Sequence, residues 1–290
     1  MGWHVYPALW CGVWGMVALV GYGRSLAGVT GAQRKVRVVG RIQRVREPRH
    51  RTSQSDGISV VVSFRDPDSG QDVTVTNDGE CGERIDAAWV GREIGVLYPP
   101  GSPHAYRFTS DPWDGRYGLG WPNFAVFLIY GGLVVAAAIE WGWPWALLGF
   151  GIPLAFLAAR YLPENTRRTN HRIEKLASRP AVPGRVIAVL EDIDTDQDGG
   201  TFTRHMPVVS FTTHEGAAVI AYCDEGLPDP AKSYGRNVTI HYVPEDPADF
   251  TLDLTTEYRS RTIDIACTVG ALLIGVAAVS VGAGALWGGR

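Results

Sequence analysis

Charged residues are distributed very unevenly along this chain of 290 residues. Four stretches contain no Asp, Glu, Lys or Arg, namely residues 1–23, 117–139, 141–159 and 265–289. The two long segments between them, 24–116 and 160–264, hold 55 of the 57 charged residues. A helix needs about 20 consecutive, mostly apolar residues to cross the hydrocarbon core of a membrane. The pattern therefore predicts an integral membrane protein and excludes an ordinary soluble enzyme, a fully disordered chain and a disulfide-rich miniprotein.

We predict four transmembrane helices, at residues 5–23, 117–139, 141–160 and 263–287. The first has the weakest pattern, because it contains Pro7 and several glycines. A secretory signal is an alternative for this segment, but such signals begin with a positively charged region. Since residues 1–10 contain neither Lys nor Arg, we expect an uncleaved first helix.

Basic residues near the helix ends predict the orientation of a membrane protein, because they are retained on the cytoplasmic side. The long segments carry 15 Lys or Arg close to the predicted helices, whereas the opposite side has only Arg290. We therefore expect a multi-pass protein of the cell (plasma) membrane, with both long segments in the cytoplasm and both termini outside.

The two long segments share an internal repeat. The matching stretches are 40–42 (Gly-Arg-Ile) with 184–186 (Gly-Arg-Val), 61–64 with 208–211 (both Val-Val-Ser-Phe), 91–98 with 235–242, and Pro100 and Pro103 with Pro244 and Pro247. Their offsets are 144, 147, 144 and 144 residues. An ordered series at a nearly constant offset predicts that one unit, helix–domain–helix, occurs twice. The predicted domains are 34–110 and 182–255.

Each repeated domain has the sequence pattern of about five short strands. Apolar side chains alternate with polar or small ones at Ile94, Val96 and Tyr98, as on a half-buried strand. Each copy is expected to hold at most one short helix, at 85–90 in the first and 230–234 in the second. A five-stranded antiparallel sheet of this size commonly curls into a small barrel. The predicted fold class is thus membrane α-helices plus small all-β domains: four transmembrane helices and two duplicated five-stranded domains, barrel-like or sandwich.

The order of these motifs resembles a bacterial family of membrane proteins. A Gly-Arg-Val motif, a Pro-Val-Val-Ser-Phe strand, a glycine turn and a Gly-x-x-Val-x-Val-x-Tyr-x-Pro strand are similar to the domain of unknown function 3592, which is common in actinobacteria. The second repeat carries this pattern at 184–186, 207–211, Gly216 and 235–244, whereas the first lacks the strand proline. The resemblance covers roughly half the chain and implies a membrane-anchored β domain without an assigned catalytic activity.

An acidic hairpin in the second repeat resembles a calcium-binding loop. Residues 194–199 (Asp-Thr-Asp-Gln-Asp-Gly) match the first six positions of an EF-hand loop, in which alternate carboxylates supply oxygen ligands. The candidate ligands are Asp194, Asp196 and Asp198. However, His205 stands where the loop's bidentate Glu belongs, and predicted strands rather than helices flank the motif. A metal-free acidic hairpin is the alternative, and calcium is the only cofactor that the sequence suggests.

The equivalent hairpin of the first repeat is basic. We predict that the two hairpins dock, within one chain or between two copies, through Arg44, Arg46, Arg49, Arg51, Glu191 and Asp192. Exposed ion pairs contribute only about 0–1 kcal/mol each, so two independent solvated loops are an alternative. Attraction of the arginines to anionic lipid is another. Nucleic-acid binding is not expected, because the chain lacks an aromatic platform and its formal net charge is −3.

The sequence suggests no catalytic residues. The four cysteines lack metal-ligand spacing, and no Ser/His/Asp order or phosphate-binding glycine loop is recognisable. We therefore expect a non-enzymatic membrane protein that presents two β domains as an interaction platform, with the lipid bilayer and a protein partner or a second copy as its contacts. Immunity to, or regulation of, a toxin or envelope enzyme is the alternative. A small-solute channel or transporter is disfavoured, because ionisable residues are absent from the interior of the predicted spans.

Overall fold

The structure, a computed structural model, describes residues 5–53, 58–77, 85–109, 117–195, 200–223 and 226–288. It divides into two compact units. One comprises Met1–Arg34, Gly115–Asn170 and Arg259–Arg290, and the other comprises Lys35–Asp114 and His171–Tyr258. The first unit is helical, and the second contains the β-strands.

The described residues form four long helices: α1 (Val5–Leu26), α2 (Gly120–Trp141), α3 (Pro144–Ala177) and α4 (Leu254–Gly288). Among the described residues, α2, α3 and α4 are long and apolar enough to cross a membrane. This finding supports the predicted class of a membrane protein. α1 has 22 residues and carries no charge before Arg24, but it is not among these three.

Two helices are longer than their predicted membrane spans. α3 continues to Ala177 instead of ending near residue 160, and α4 begins at Leu254 instead of residue 263. The onset of charged residues ends the apolar stretch without ending the helix. On α3, for example, Arg168 donates a hydrogen bond to Glu164 at 2.8 Å, one helical turn away.

Small residues allow the helices to approach each other closely. A Cβ added to Gly132 of α2 would lie 2.5 Å from the ring of Trp10 on α1, whose indole N–H donates to the Leu128 carbonyl at 2.9 Å. A Cβ added to Gly275 of α4 would lie 2.8 Å from the backbone nitrogen of Ala155 on α3. Close packing at glycine is a common mode of helix association in membranes.

Eleven strands lie in two antiparallel sheets within the described part of the chain. In chain order they are β1 (Val36–Arg46), β2 (Ser59–Arg65), β3 (Asp72–Thr76), β4 (Ala87–Ala88), β5 (Glu93–Tyr98), β6 (Arg107–Thr109), β7 (Val182–Thr195), β8 (Thr201–Thr212), β9 (Ala218–Tyr222), β10 (Asn237–Val243) and β11 (Asp246–Thr251). The first sheet has the order β3-β2-β1-β5-β6, and the second has the order β11-β10-β7-β8-β9-β4.

Apart from β4, the two sheets have the same strand order and the same local register. Arg41 of β1 pairs with Ser63, and Arg185 of β7 pairs with Ser210. A bulge follows one residue later in both strands, between Ile42 and Arg44 and between Val186 and Ala188. At Gly40 and Gly184 an added Cβ would lie only 2.6 and 2.4 Å from side-chain atoms of the neighbouring strands, so both sites accommodate glycine alone without rearrangement.

The second sheet is buried on both faces. On β8 and β9 the even-numbered side chains Met206, Val208, Ile220 and Tyr222 pack with side chains of the first sheet in one core. The odd-numbered residues Val209, Phe211, Val219 and Ala221 face a second core, which β10 and β11 help to enclose. This two-sided burial explains why the run Pro-Val-Val-Ser-Phe is almost continuously apolar, as in strands covered on both faces.

The expected short helix at 85–90 is wrong. Ala87 and Ala88 form β4, which comes from the first repeat but pairs with β9 of the second. Both alanines are buried, and the Tyr222 N–H donates to the Asp86 carbonyl at 2.8 Å. The partner strand lies more than 130 residues away, so a local sequence pattern does not reveal it. In the region expected as the other helix, the structure has a single 3-10 turn at Pro230–Lys232.

Candidate binding cleft between the two sheets

A cleft with a volume of about 420 Å³ opens where the first sheet meets β11 of the second. Its buried floor is apolar and consists of Ile85, Ile94 and Phe108, which are 5%, 6% and 0% exposed. Its walls are polar and are lined by Asp86, Arg92, Glu93, Thr109, Asp246 and Asp249. β6 and β11, which both contribute lining residues, are terminal strands of their sheets.

Arg92 is the one basic residue among the described residues that line this cleft. It follows Gly91, whose φ of 93° turns the chain from β4 into β5. Its guanidinium donates to the Ala87 carbonyl and lies over the Trp89 ring, 4.9 Å from the centroid. Burial lowers the pKa of Arg92, and the negative charges of Asp246 and Asp86 oppose that shift. Arg92 therefore supports the wall that β4 forms and offsets part of the acidic charge.

The four carboxylates of the cleft differ in their partners. Asp249 accepts a hydrogen bond from Arg172 at 2.7 Å, and Arg172 also pairs with Glu257. Glu93 lies 3.9 Å from Arg41, and both side chains are about two-thirds exposed, so this ion pair is weak. The exposed Asp246 accepts a hydrogen bond from the Ala248 N–H at 3.1 Å. Acidic side chains thus outnumber basic ones at the rim, even with the flanking arginines included.

The predicted contact between the basic and acidic hairpins falls on residues that the structure brings partly together. The Arg51 side chain lies 3.8 Å from Glu191, and the Arg51 N–H donates to the Val189 carbonyl at 2.9 Å. Arg51 has a φ of 62°, a conformation that residues other than glycine rarely adopt. Next to it, His50 stacks on Tyr234 with ring centroids 3.9 Å apart. The first repeat therefore contacts β7 through a backbone bond and an ion pair, and it contacts the segment before β10 through ring stacking.

The other predicted contact residues lie in different surroundings. Arg44 and Arg46 lie on β1 and Arg49 follows it, and all three side chains are exposed. On β7, Asp192 is opposite Arg204 of β8 in the same sheet. Arg51 and Glu191, both members of this set, lie within ion-pair distance of each other.

The candidate calcium ligands lie mostly outside the described residues. The backbone of Asp194 is part of β7, opposite Phe202, whereas Asp196 and Asp198 are among the residues that the structure does not describe. Within the described ranges, no group of three or more His, Cys, Asp or Glu is arranged to hold a metal ion. Of the described cysteines, Cys223 is buried in the second core and Cys11 and Cys267 lie on helices, and none of these three forms a disulfide.

Sequence reasoning missed a tyrosine–carboxylate contact that occurs in both sheets. The buried Tyr98 hydroxyl donates to Asp66 at 2.7 Å, and Asp66 caps its own turn by accepting hydrogen bonds from Ser69. These hydrogen bonds, first from Ser69 and then from Tyr98, lower the pKa of Asp66. In the second sheet, Tyr242 donates to Glu215 at 3.2 Å. The repeat offset already equates Tyr98 with Tyr242, but the carboxylates lie at turn positions that the repeat does not align.

Sequence reasoning also missed the cleft, although one of its lining residues lies in a repeated stretch. Arg92 belongs to the matched stretch 91–98, but its counterpart Arg236 is exposed and reaches the Pro228 carbonyl at 3.4 Å. The two arginines therefore share a sequence position and differ in their surroundings. Asp246 lies on β11, where Pro247 is the only residue that the repeat motifs include. No family model matches the chain, and no curated protein or solved structure matches it either.

Proposed function

We propose that this chain is a non-enzymatic integral membrane protein that presents two β-sheets, fused into one body, as a platform for a protein partner. The observation that supports this most directly is the position of β4. This strand belongs to the first repeat, but it pairs at the edge of the second sheet. The core shared between the sheets points the same way. Two independent modules would need neither feature.

We also propose that α1 is the fourth membrane span. Its large apolar side chains are exposed at Leu9 (59%), Val13 (59%), Met16 (69%) and Leu19 (75%). Exposed apolar surface of this extent is unfavourable in water and favourable in contact with lipid tails. Its indole and hydroxyl groups at Trp10 and Tyr22 are satisfied by hydrogen bonds to α2.

The architecture proposed here is a duplicated unit of helix, β domain and helix. The common strand order and the bulges at equivalent positions support a duplication, because unrelated sheets have no reason to share both. Membership of the actinobacterial family with the domain of unknown function 3592 is part of this proposal. It depends on the Gly-Arg-Val, Val-Val-Ser-Phe and Gly-x-x-Val motifs.

Cysteine labelling in intact cells tests the membrane part of the proposal. In a full-length protein whose native cysteines are replaced by alanine, Asp72→Cys and Asp229→Cys each place an exposed thiol on one β-sheet region. Trp143→Cys places a third thiol between α2 and α3, where the side chain is 59% exposed.

A membrane-impermeant maleimide should label Trp143→Cys in intact cells and should label the other two only after permeabilisation. Labelling of either Asp72→Cys or Asp229→Cys in intact cells would contradict cytoplasmic sheets. Labelling of only one of them would also contradict the fused body.

A further inference from the structure

From the cleft described above, we infer that this protein binds a basic peptide segment by taking an arginine or lysine side chain between Asp86 and Asp246. This inference deepens the proposed platform function and rests on it. Arginine and lysine carry a cationic head on an aliphatic stem, and both parts have a complement in the cleft. The buried floor of Ile85, Ile94 and Phe108 matches the stem, and the acidic rim matches the head.

The size and the charge of the cleft favour this occupant over others. A volume of about 420 Å³ holds one or two side chains and is at the small end for a drug-sized ligand. An anionic ligand would be repelled by four carboxylates and attracted only by Arg92 among the described lining residues. The Arg92 guanidinium already contacts the Ala87 carbonyl and the Trp89 ring. A purely apolar ligand would remove water from the charged rim and offer it no hydrogen bond in return, which is costly.

The position of the cleft also suits an extended peptide. β6 and β11 are terminal strands, and the cleft lies beside both. A chain running along either strand can therefore place one side chain in the cleft while its neighbours remain on the surface. Glu93 and Asp249 also line the cleft and add to its negative charge.

A direct binding measurement tests the inference. The full-length protein, in nanodiscs of zwitterionic phosphatidylcholine, is titrated with fluorescent tetra-arginine peptide and, in parallel, with tetra-citrulline peptide of the same shape but without charge. Neutral lipid prevents the peptide from binding the membrane by charge alone. We expect the arginine peptide to bind at least tenfold more tightly than the citrulline peptide. Increasing the salt from about 0.05 to 0.5 M should weaken binding of the arginine peptide, because added ions shorten the distance over which exposed charges attract each other.

Two variants separate the cleft from general negative charge. Asp86→Asn/Asp246→Asn should weaken arginine-peptide binding by at least fivefold. Asp72→Asn/Asp229→Asn removes the same charge from exposed sites outside the cleft and should leave binding unchanged. Asp246→Asn alone, at an exposed side chain, serves if the double cleft variant melts at a lower temperature.

Equal binding of the two peptides, or equal losses in both double variants, would overturn the inference. Such a result would leave the proposed platform intact if cysteine labelling still places both sheets in the cytoplasm. Failure of that labelling pattern, with peptide binding retained, would instead overturn the platform and leave the cleft assignment in place.

Discussion

Replacing Leu190 by alanine should destabilise both sheets together, although Leu190 belongs to the second repeat. Its side chain is fully buried in the core that β7, β8 and β9 share with the first sheet. Leucine-to-alanine changes at such sites cost about 3–5 kcal/mol, because both transfer free energy and packing around the residual cavity are lost. For a unit of this size, each kcal/mol lowers the melting temperature by about 2–4 °C. The expected decrease is therefore roughly 6–20 °C.

Buried thiols in each sheet can report this melting separately. Cys223 is a native probe of the second sheet, with 4% of its surface exposed. Val75→Cys, at a residue that is 5% exposed on β3, provides the probe of the first sheet in a protein without other cysteines. Reaction of each thiol with a maleimide is measured in nanodiscs as the temperature rises. Leu190→Ala should lower both labelling midpoints by the same amount.

A helix variant provides the control for the chemistry of the substitution. Leu133→Ala removes the same atoms from α2, where the side chain is 52% exposed, and should move neither midpoint. If Leu190→Ala lowers the Cys223 midpoint and leaves the Val75→Cys midpoint in place, the sheets unfold independently. The inference of one cooperative body would then be wrong.

Three further predictions concern individual contacts. Tyr98→Phe should lower the free energy of unfolding by about 1.5–3 kcal/mol, because it removes a hydrogen bond to a buried carboxylate. Tyr242→Phe should lower that free energy by less, and chemical denaturation measures both changes. Hydrogen bonding from Arg179 lowers the pKa of Glu215 from 4.5 to about 2. The stability from this contact is therefore present above pH 4.5 and lost as the pH falls towards 2. Between these pH values, the melting temperature of Arg179→Gln should fall less steeply than that of the unaltered protein. Gly184→Ala should cost about 1–3 kcal/mol, because the added Cβ would lie 2.4 Å from a side-chain atom of Ile240; an unchanged melting temperature would contradict that crowding.

Helices and local strands were predictable because their signals are local. The absence of charge over about 20 residues predicted α2, α3 and α4, and the alternation at Ile94, Val96 and Tyr98 predicted β5 close to its observed bounds. The helix ends were less accurate. Charged residues mark the limit of the apolar segment, but α3 continues through them with support from side-chain pairs such as Arg168 with Glu164.

Contacts between distant segments were not predictable in the same way. Ala87 and Ala88 fit a short helix as well as a strand, and only pairing with β9 makes them a strand. The opposite charges of the two hairpins predicted a contact between them. The backbone bonds and the His50–Tyr234 stacking that accompany the Arg51–Glu191 ion pair depend on the folded chain. The cleft combines residues from β4, β5, β6 and β11, which no single motif contains.

Disulfide crosslinking of β4 to β9 tests the fused body most directly. Ala87 pairs with Ala221. The next pair, Asp86 with Tyr222, is the hydrogen-bonded one, because the Tyr222 N–H donates to the Asp86 carbonyl. Since the two kinds of pair alternate in an antiparallel ladder, Ala87 and Ala221 form a non-hydrogen-bonded pair. Cα atoms in such a non-hydrogen-bonded pair are about 4.5 Å apart, within the range that a disulfide spans. Ala87→Cys/Ala218→Cys, with its second thiol about 10 Å farther along β9, is the matched control.

In full-length protein without native cysteines, mild oxidation of purified membranes followed by mass spectrometry identifies the linked peptides. The account predicts that Ala87→Cys/Ala221→Cys forms a disulfide within one monomer and that the control pair does not. Free thiols in the test pair, or a disulfide found only in dimers, would contradict the claim that the two sheets of one chain form a single body.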